Sequence, residues 1–252
     1  MSTKIYFLDD RRDLIIPGDY AKTLQFCIDT FLQIASEAIA DHGYFAVALS
    51  GGNTPKAIFQ GIVKDSKRDQ VDWKKVLLFW SDERCVPHNH PDSNYRMAMD
   101  AGFAKLPIPN ENIFPMHGEG NLESNAKAYE QLIKEKIPSQ TFDLVMLGMG
   151  DDGHTASLFP KTHGLHPNAG LVICNFIPEK NVWRMTLTFE CINSSRHLYI
   201  YVLGESKAAM VRRVFTSLYD PDSLPIQRVG TQEHKGQWIV DDAAAKEILF
   251  DL

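Results

Sequence analysis

The sequence has little of what marks secreted, membrane-spanning or metal-stapled proteins. Its four cysteines include no C-x-x-C pair and no zinc-like spacing, which argues against a disulfide framework or a structural zinc site. No apolar run approaches the roughly 18 residues that a membrane helix needs. The N-terminus, MSTKIYFLDDRRDL, lacks the apolar core of a signal peptide. We therefore expect a cytoplasmic protein with free thiols.

Charge of one sign is not concentrated anywhere along the chain. The formal net charge is -6 and no basic run occurs, so neither nucleic acid nor an anionic membrane is an expected partner. An anionic substrate would need a few positive groups placed locally against this overall field. We expect a small-molecule partner, and a monomer or a small homo-oligomer.

Apolar runs alternate with helical patterns along the chain. Strands are predicted at 4–10, 44–50, 76–83, 142–148, 171–176, 184–190, 197–204 and the start of 237–249. Helices are predicted at 19–43, 54–64, 93–106, 122–137, 205–218 and the end of 237–249. The inner strands are nearly continuous apolar runs, which favours an α/β fold with a mostly parallel sheet and helices on both faces. Without an internal repeat or a linker, residues 1–252 are predicted to form a single domain.

Three predicted strands end in polar loops, at 50–54, 81–84 and 148–154. Ligands of parallel α/β sheets bind beyond the carboxyl ends of the strands. We therefore expect these three loops to contribute to one site.

The first loop lies within ALSGGNTP, between a strand and a helix. Its two glycines, Gly51 and Gly52, let the backbone approach a ligand closely, and the unpaired amides at a helix start attract anions. Thr54 is a candidate cap, with Pro55 at the first helical position. The pattern predicts a phosphate cradle, although a tight turn without a ligand has the same sequence.

The second loop lies within FWSDERCVPHNHPDSN. Asp82 and Arg84 stand just past an apolar strand, where the planar fork of Arg84 can hold a phosphate; the alternative is a solvated ion-pair cluster. His88 and His90 are two residues apart, but no second cluster of ligands is evident. We therefore predict no metal site.

The third loop, GMGDDGHTASLFP (148–160), satisfies the dinucleotide-binding pattern G-x-G-x-x-G. Such a loop needs a full helix and then a strand that ends in an acidic residue. Here Pro160 follows soon after Gly153, position 168 is Asn168, and the strand at 171–176 does not end in an acidic residue. Adjacent aspartates would also repel a pyrophosphate. The match to the NAD motif is therefore interpreted as coincidental.

The same loop has the composition of a catalytic site. His154 follows Asp151 and Asp152 in a glycine-flanked turn at the end of a buried strand. A carboxylate fixes the tautomer of an imidazole and raises its basicity, which suits a general base acting on water. The alternative is a hydrogen-bonded structural histidine. TASLF (155–159) is predicted to resume as a short helix.

Taken together and in this order, the three loops resemble those of the 6-phosphogluconolactonases. The shared segments are SGGNTP, SDERCVPHNHPDSNY and GMGDDGHTASLFP, followed by RMTLT (184–188), GESK (204–207) and WIVDDAA (238–244). The resemblance spans nearly the whole chain. It implies a Rossmann-like α/β fold, shared with glucosamine-6-phosphate deaminase and ribose-5-phosphate isomerase.

The resemblance also implies roles for individual residues. His154 would be the general base, with Asp152 in its loop, and Asp82 matches a catalytic carboxylate of the deaminase branch. The residues implied to bind phosphate or sugar hydroxyls are Ser50, Gly51, Gly52, Thr54, Arg84, Arg184 and Lys207.

The activity implied is hydrolysis of 6-phospho-D-glucono-1,5-lactone in the pentose phosphate pathway, without a metal or an organic cofactor. One alternative is a hexosamine-6-phosphate isomerase or deaminase, but DGHTASLFP and SDER favour the lactonase. The other is a sugar-phosphate-binding regulator without catalysis. The chain has neither a helix-turn-helix extension nor a basic face to support that role.

Overall fold

The structure is a computed structural model that describes residues 3–166 and 170–248. Asn168, the ends of the predicted domain 1–252 and the last residue of the predicted element 237–249 lie outside the described residues. Within these two ranges, no helix is both long and apolar enough to cross a membrane.

The described chain forms ten strands and seven α-helices, joined by short 3-10 turns. The strands are β1 Lys4–Asp9, β2 Arg12–Ile16, β3 Phe45–Leu49, β4 Val76–Trp80, β5 Asp82–Arg84, β6 Leu144–Gly148, β7 Val172–Ile177, β8 Val182–Leu187, β9 His197–Val202 and β10 Gly236–Val240. The helices are α1 Tyr20–His42, α2 Asn53–Lys64, α3 Asn94–Asp100, α4 Leu122–Lys136, α5 Phe189–Asn193, α6 Ala208–Thr216 and α7 Asp242–Ala245.

Seven strands form one sheet in the order β1-β2-β10-β9-β6-β3-β4. Only β1 runs antiparallel to its neighbour; the other pairs are parallel. All five residues of β3 are 0% exposed. Because successive strand residues point to opposite faces, both faces of the sheet must be covered there. The predicted α/β fold with a mostly parallel sheet is confirmed.

The long first helix shows how closely local signals set its ends. Asp19 accepts a hydrogen bond from the Lys22 backbone N–H at the start of α1, and Gly43 ends the helix at a φ of 93°. A carboxylate cap and a left-handed glycine stop are signals that the sequence displays directly. The predicted helix 19–43 is therefore confirmed almost to the residue.

A second sheet of three antiparallel strands, in the order β5-β8-β7, was not predicted as a separate unit. The predicted strand 76–83 breaks at Ser81, whose backbone N–H donates to Leu49 O and whose carbonyl accepts from Leu187 N, both at 2.8 Å. Ser81 thus belongs to both sheets, and the chain changes sheet at this point. Strand β2, at 12–16, was also missed.

Helix α2 begins one residue earlier than expected, at Asn53, so the prediction that Thr54 caps it is wrong. Gly52 occupies the cap position with a φ of 104°, and no side chain bonds the first amides of the helix. Pro55 is the third helical residue rather than the first. A glycine with positive φ turns the chain without steric cost, and the uncapped amides stay available at the end of β3.

Candidate active site

A cleft of about 270 Å³ opens at the carboxyl ends of β3, β4 and β6, three neighbouring strands of the large sheet. Its lining residues come from all three predicted loops and from the small sheet: Ser50, Gly51, Gly52, Asp82, Arg84, Asn94, Gly148, Met149, Gly150, His154, Ala156, Ser157, Phe159, Lys180 and Arg184. The structure therefore brings the three loops together, as their positions after parallel strands predicted.

The small sheet supplies the positive charge of this cleft. Arg84 on β5 lies directly opposite Arg184 on β8, and Lys180 lies in the turn between β7 and β8. Burial, followed by the charge of Arg84, lowers the pKa of Arg184. Like charges placed opposite each other on a ladder destabilise a sheet. An anion bound beside this pair would offset that repulsion.

Arg184 also has an unused donor. Its Nε is buried, and no residue in the described ranges offers it a hydrogen-bond acceptor. Arg84, by contrast, donates from one terminal nitrogen to the Asp92 carbonyl at 2.5 Å, which holds its guanidinium at the edge of the cleft. Since a buried donor left unpaired costs about 1–3 kcal/mol, the free Arg184 Nε is itself a sign of a missing acceptor.

His154 and Asp152 form a close pair. The imidazole Nδ1 lies 2.5 Å from Asp152 Oδ1, and the His154 backbone N–H donates to the same oxygen at 3.1 Å. Burial raises the pKa of Asp152, but its hydrogen bonds with His154 and the charge of His154 more than offset this and set it at about 2. An ionised carboxylate at Nδ1 requires the proton there, so Nε2 carries the free lone pair.

The segment after His154 is a turn, so the predicted short helix at 155–159 is wrong. Thr155 and Leu158 form an isolated antiparallel bridge, and Ala156 has a left-handed φ of 47°. The turn stacks the Phe159 ring on His154, with centroids 3.9 Å apart and planes 17° apart. Phe159 thereby fixes the plane of the imidazole.

Asp82 lies in the cleft and is 7% exposed. Its Oδ2 accepts from Ser157 Oγ at 2.6 Å, and its Oδ1 accepts from Asn94 Nδ2 at 3.3 Å. The carboxylate nearest the imidazole is therefore Asp152, whereas Asp82 is held in place by a hydroxyl and an amide from two other elements.

Glu83, next in the chain, supports the loop from behind. It is 1% exposed, and its carboxylate accepts four hydrogen bonds, from the backbone N–H groups of Arg84, Asn94 and Tyr95 and from Ser93 Oγ, at 2.7–3.0 Å. Burial raises the pKa of Glu83, and the four donors oppose that rise. The carboxylate ties the second loop to the start of α3.

We expect Glu83→Gln to lower the free energy of unfolding by about 1–3 kcal/mol, because the amide NH₂ group faces donors that then lose their acceptor. Urea denaturation measures the change. Glu111→Gln is the matched control, since Glu111 is exposed in a short 3-10 turn. Equal stability of the two variants would contradict a bracing role for Glu83.

Only some of the predicted phosphate-binding residues line the cleft. Ser50, Gly51 and Gly52 line the cleft, whereas Thr54 lies in the first turn of α2 and is not among the lining residues. Gly51 is required by close packing, since a Cβ there would lie 2.0 Å from Asn94 Oδ1.

Lys207 lies behind the third loop rather than on the cleft wall. Its Nζ donates to Met149 O at 3.0 Å and to Asp151 Oδ1 at 2.5 Å. Met149 lines the cleft, so Lys207 holds that part of the wall. Its predicted role as a phosphate partner stays a prediction.

Sequence reasoning missed Asn94, Ser157, Phe159 and Lys180. The first two are short polar residues that became informative only once they were seen to hold Asp82. Phe159 is a common core residue type, and Lys180 lies in a turn without a motif of its own. Ser157 and Phe159 lie within GHTASLFP, and Asn94 follows SDER in the second loop. These two segments therefore placed three of the four residues near the right loops.

The two loop histidines have local partners. His88 Nε2 lies 2.9 Å from Met116 O, and His90 Nδ1 accepts from the Asp92 backbone N–H at 3.1 Å. In the parts of the chain that the structure describes, no three His, Cys, Asp or Glu side chains converge as a metal site.

Gly150 is expected to be essential for the His154–Asp152 pair. A Cβ at Gly150 would lie 2.0 Å from His154 Nδ1, whereas one at Gly148 would meet no atom within 4 Å. Displacement of a catalytic group by about 1 Å can cost roughly 10²-fold in rate. We therefore expect Gly150→Ala to lower kcat at least tenfold and to shift the imidazole NMR signals of His154.

Gly148→Ala is the matched control in the same loop, and it should keep the imidazole signals of the parent. If Gly150→Ala also keeps them, the imidazole is not held where the structure places it.

The fold and site together define an α/β protein with a cleft lined by cationic side chains at the carboxyl ends of a mostly parallel sheet. A family model described as "Glucosamine-6-phosphate isomerases/6-phosphogluconolactonase" matches residues 18–240. The chain belongs to this family.

Similar proteins include several that are named 6-phosphogluconolactonase. One from Chlamydia pneumoniae is 40% identical, covering 100% of this chain and 96% of the relative. One from Synechocystis sp. is 35% identical, covering 88% of this chain and 91% of the relative. The crystal structure of a 6-phosphogluconolactonase from Thermotoga maritima has a TM-score of 0.78 at 25% identity, covering 90% of this chain and 98% of that one. A Trypanosoma cruzi structure, at 24% identity over 99% of this chain and 98% of that one, has a TM-score of 0.81 and shares the fold.

Proposed function

We propose that this protein hydrolyses 6-phospho-D-glucono-1,5-lactone to 6-phosphogluconate, a step of the pentose phosphate pathway. A relative with that name is 40% identical to it, over 100% of this chain and 96% of the relative. The observation that supports the mechanism is the placement of the Asp152-paired His154 in the same cleft as the opposed Arg84 and Arg184. A base and an anion anchor are the two parts that this reaction needs.

His154 acts as the general base in this proposal. Its Nδ1 is held by Asp152, so Nε2 takes a proton from water as the water oxygen bonds to C1. The C1 carbonyl electrons move onto its oxygen, which becomes an oxyanion. When the tetrahedral intermediate collapses, the bond from C1 to the ring oxygen breaks and the imidazolium returns its proton to that oxygen. The lactone is reactive enough that no covalent nucleophile is invoked.

Phosphate binding is assigned to Arg84 and Arg184. Two observations support this: Arg184 Nε has no acceptor among the described residues, and the two like-charged residues lie opposite each other on the ladder. The uncapped amides of α2 and the turn at 50–52 add donors at the same end of the sheet. Asp82, held by Ser157 and Asn94, is assigned to orient the sugar hydroxyls or the attacking water.

Residues 1–252 are proposed to act as one domain, since the cleft uses residues of both sheets. We further propose a cytoplasmic monomer or small homo-oligomer that works without nucleic acid, membrane, metal or organic cofactor. The four cysteines are all unpaired, as is usual in a reducing compartment.

The test is the assay of the purified protein on freshly generated lactone, with product detected by a coupled dehydrogenase. We expect hydrolysis well above the spontaneous rate, unchanged after dialysis against a chelator. Hydrolysis no faster than the blank would exclude the lactonase and leave the sugar-phosphate-binding regulator. Release of ammonia from glucosamine 6-phosphate would instead identify the deaminase activity.

A further inference from the structure

Lys180 is a positive charge at the cleft for which the motifs of the sequence give no role. It ends the 3-10 turn Pro178–Lys180 between β7 and β8, and it lines the cleft. Asn181, left-handed at a φ of 49°, closes this turn by donating its backbone N–H to Pro178 O. In the described ranges, Nζ of Lys180 has neither a hydrogen-bond acceptor nor an ion-pair partner.

One aromatic ring contacts both this ammonium and the imidazole. Lys180 Nζ lies 4.6 Å from the centroid of Phe159, and the same ring is stacked on His154 at 3.9 Å. Phe159 is 5% exposed, so it is a fixed platform. A cation over an aromatic face is attracted to it, which gives this exposed lysine a preferred position against the ring that also packs on the proposed base.

The three cations of the cleft therefore fall into two groups. Arg84 and Arg184 face each other across β5 and β8, whereas Lys180 comes before β8 begins and lies over Phe159, the ring that is stacked on His154. A phosphorylated lactone likewise has two ends, the phosphate and the C1 carbonyl, and the general base must lie at C1.

We propose that Lys180 is a substrate-binding residue for the C1 end. Its ammonium faces the oxygen that becomes an oxyanion during attack, and afterwards the new carboxylate of the product. This assignment rests on the proposed lactonase function. C1 is uncharged in the substrate and charged in the product, so the interaction strengthens along the reaction, and Lys180 contributes more to product affinity than to substrate affinity.

The test compares two ligands by titration calorimetry at low salt. One is 6-phosphogluconate, which has the phosphate and the C1 carboxylate; the other is the hexitol 6-phosphate, which ends in an alcohol at C1. Lys180→Met should weaken binding of 6-phosphogluconate about tenfold, the scale of one charge-assisted contact, and leave the hexitol phosphate within about twofold. Lys180→Arg should restore most of the loss, and added salt should shrink it.

Lys136→Met is the matched control. Lys136 is also exposed and also lies over a phenylalanine ring, 5.6 Å from the centroid of Phe114, but it does not line the cleft. It should bind both ligands as the parent does.

The outcomes separate the two proposals. If Lys180→Met weakens both ligands equally, Lys180 is a phosphate contact and the C1 assignment is wrong. If it weakens neither while the parent hydrolyses the lactone, Lys180 does not touch the substrate, and the proposed function stands. A parent that neither hydrolyses the lactone nor binds either compound contradicts the proposed function, and the Lys180 assignment falls with it.

Discussion

Replacing His154 by alanine is expected to lower kcat by about 10²–10⁴-fold, the usual contribution of a positioned general base. KM should change far less, because the proposed phosphate contacts of Arg84 and Arg184 remain. Steady-state rates on fresh lactone, with spontaneous hydrolysis subtracted, measure both parameters.

His166→Ala is the matched control for this variant. His166 is also paired with an aspartate, with Nε2 2.7 Å from Asp222 Oδ1, but it is exposed and lies outside the cleft. It should keep the parent kcat. If His154→Ala retained more than about a tenth of the parent kcat, well short of the loss expected for a base, His154 would be a structural histidine.

The pH dependence should follow the imidazole rather than its partner. A general base must be unprotonated to accept a proton, so kcat/KM is expected to fall at acidic pH. Asp152, with a pKa of about 2, stays ionised throughout that fall. Because its pKa is depressed in the folded protein, its stabilising effect is present above the ordinary carboxyl range and is lost only as the pH falls toward about 2.

Asp152→Asn removes the charge that holds Nδ1, so it should lower kcat and displace the acidic limb of this profile. Asp82→Asn should leave the position of the limb unchanged, since Asp82 bonds Ser157 and Asn94 instead. The reverse pattern would make Asp82 the orienting carboxylate.

The second large effect concerns phosphate recognition. Arg84→Ala or Arg184→Ala is expected to lower kcat/KM for the phosphorylated lactone roughly 10–150-fold. This corresponds to a loss of about 1.5–3 kcal/mol of transition-state stabilisation, the scale of a charged hydrogen bond. Arg184 should be the more sensitive position, because its Nε is buried and has no acceptor among the described residues.

Unphosphorylated gluconolactone separates anchoring from general damage to the site. Both variants should hydrolyse it at nearly the parent kcat/KM. Arg212→Ala, an exposed arginine on α6, should leave both substrates unaffected. Equal losses on the two lactones would mean that the arginines shape the cleft without binding the phosphate. Lys207→Ala tests the remaining predicted phosphate partner: a loss confined to the phosphorylated lactone would support that role, whereas equal losses would mean that Lys207 only holds Met149 O.

Much of the fold could be predicted because its signals are local. The stop at Gly43 and the apolar runs of β3 and β6 are each contained within a few residues. The order of SGGNTP, SDER and GHTASLFP also placed three loops at the carboxyl ends of strands. Thr54 was misassigned as a cap because α2 begins one residue earlier than predicted. The positive φ of Gly52 sets that start, and residue preferences do not reveal it.

The sequence by itself determined the α/β class and the three loops, because both follow from residue type and short spacing. The resemblance to a known family pointed to the histidine, the carboxylates and the arginines, whose roles stay predictions. Only the tertiary structure decided which of them meet. Ser81 splits one predicted strand between two sheets, which sets Arg84 opposite Arg184, 100 residues away in the chain. The turn after His154 brings the Phe159 ring onto its imidazole. Such contacts depend on long-range strand pairing and side-chain packing, which a local pattern does not encode.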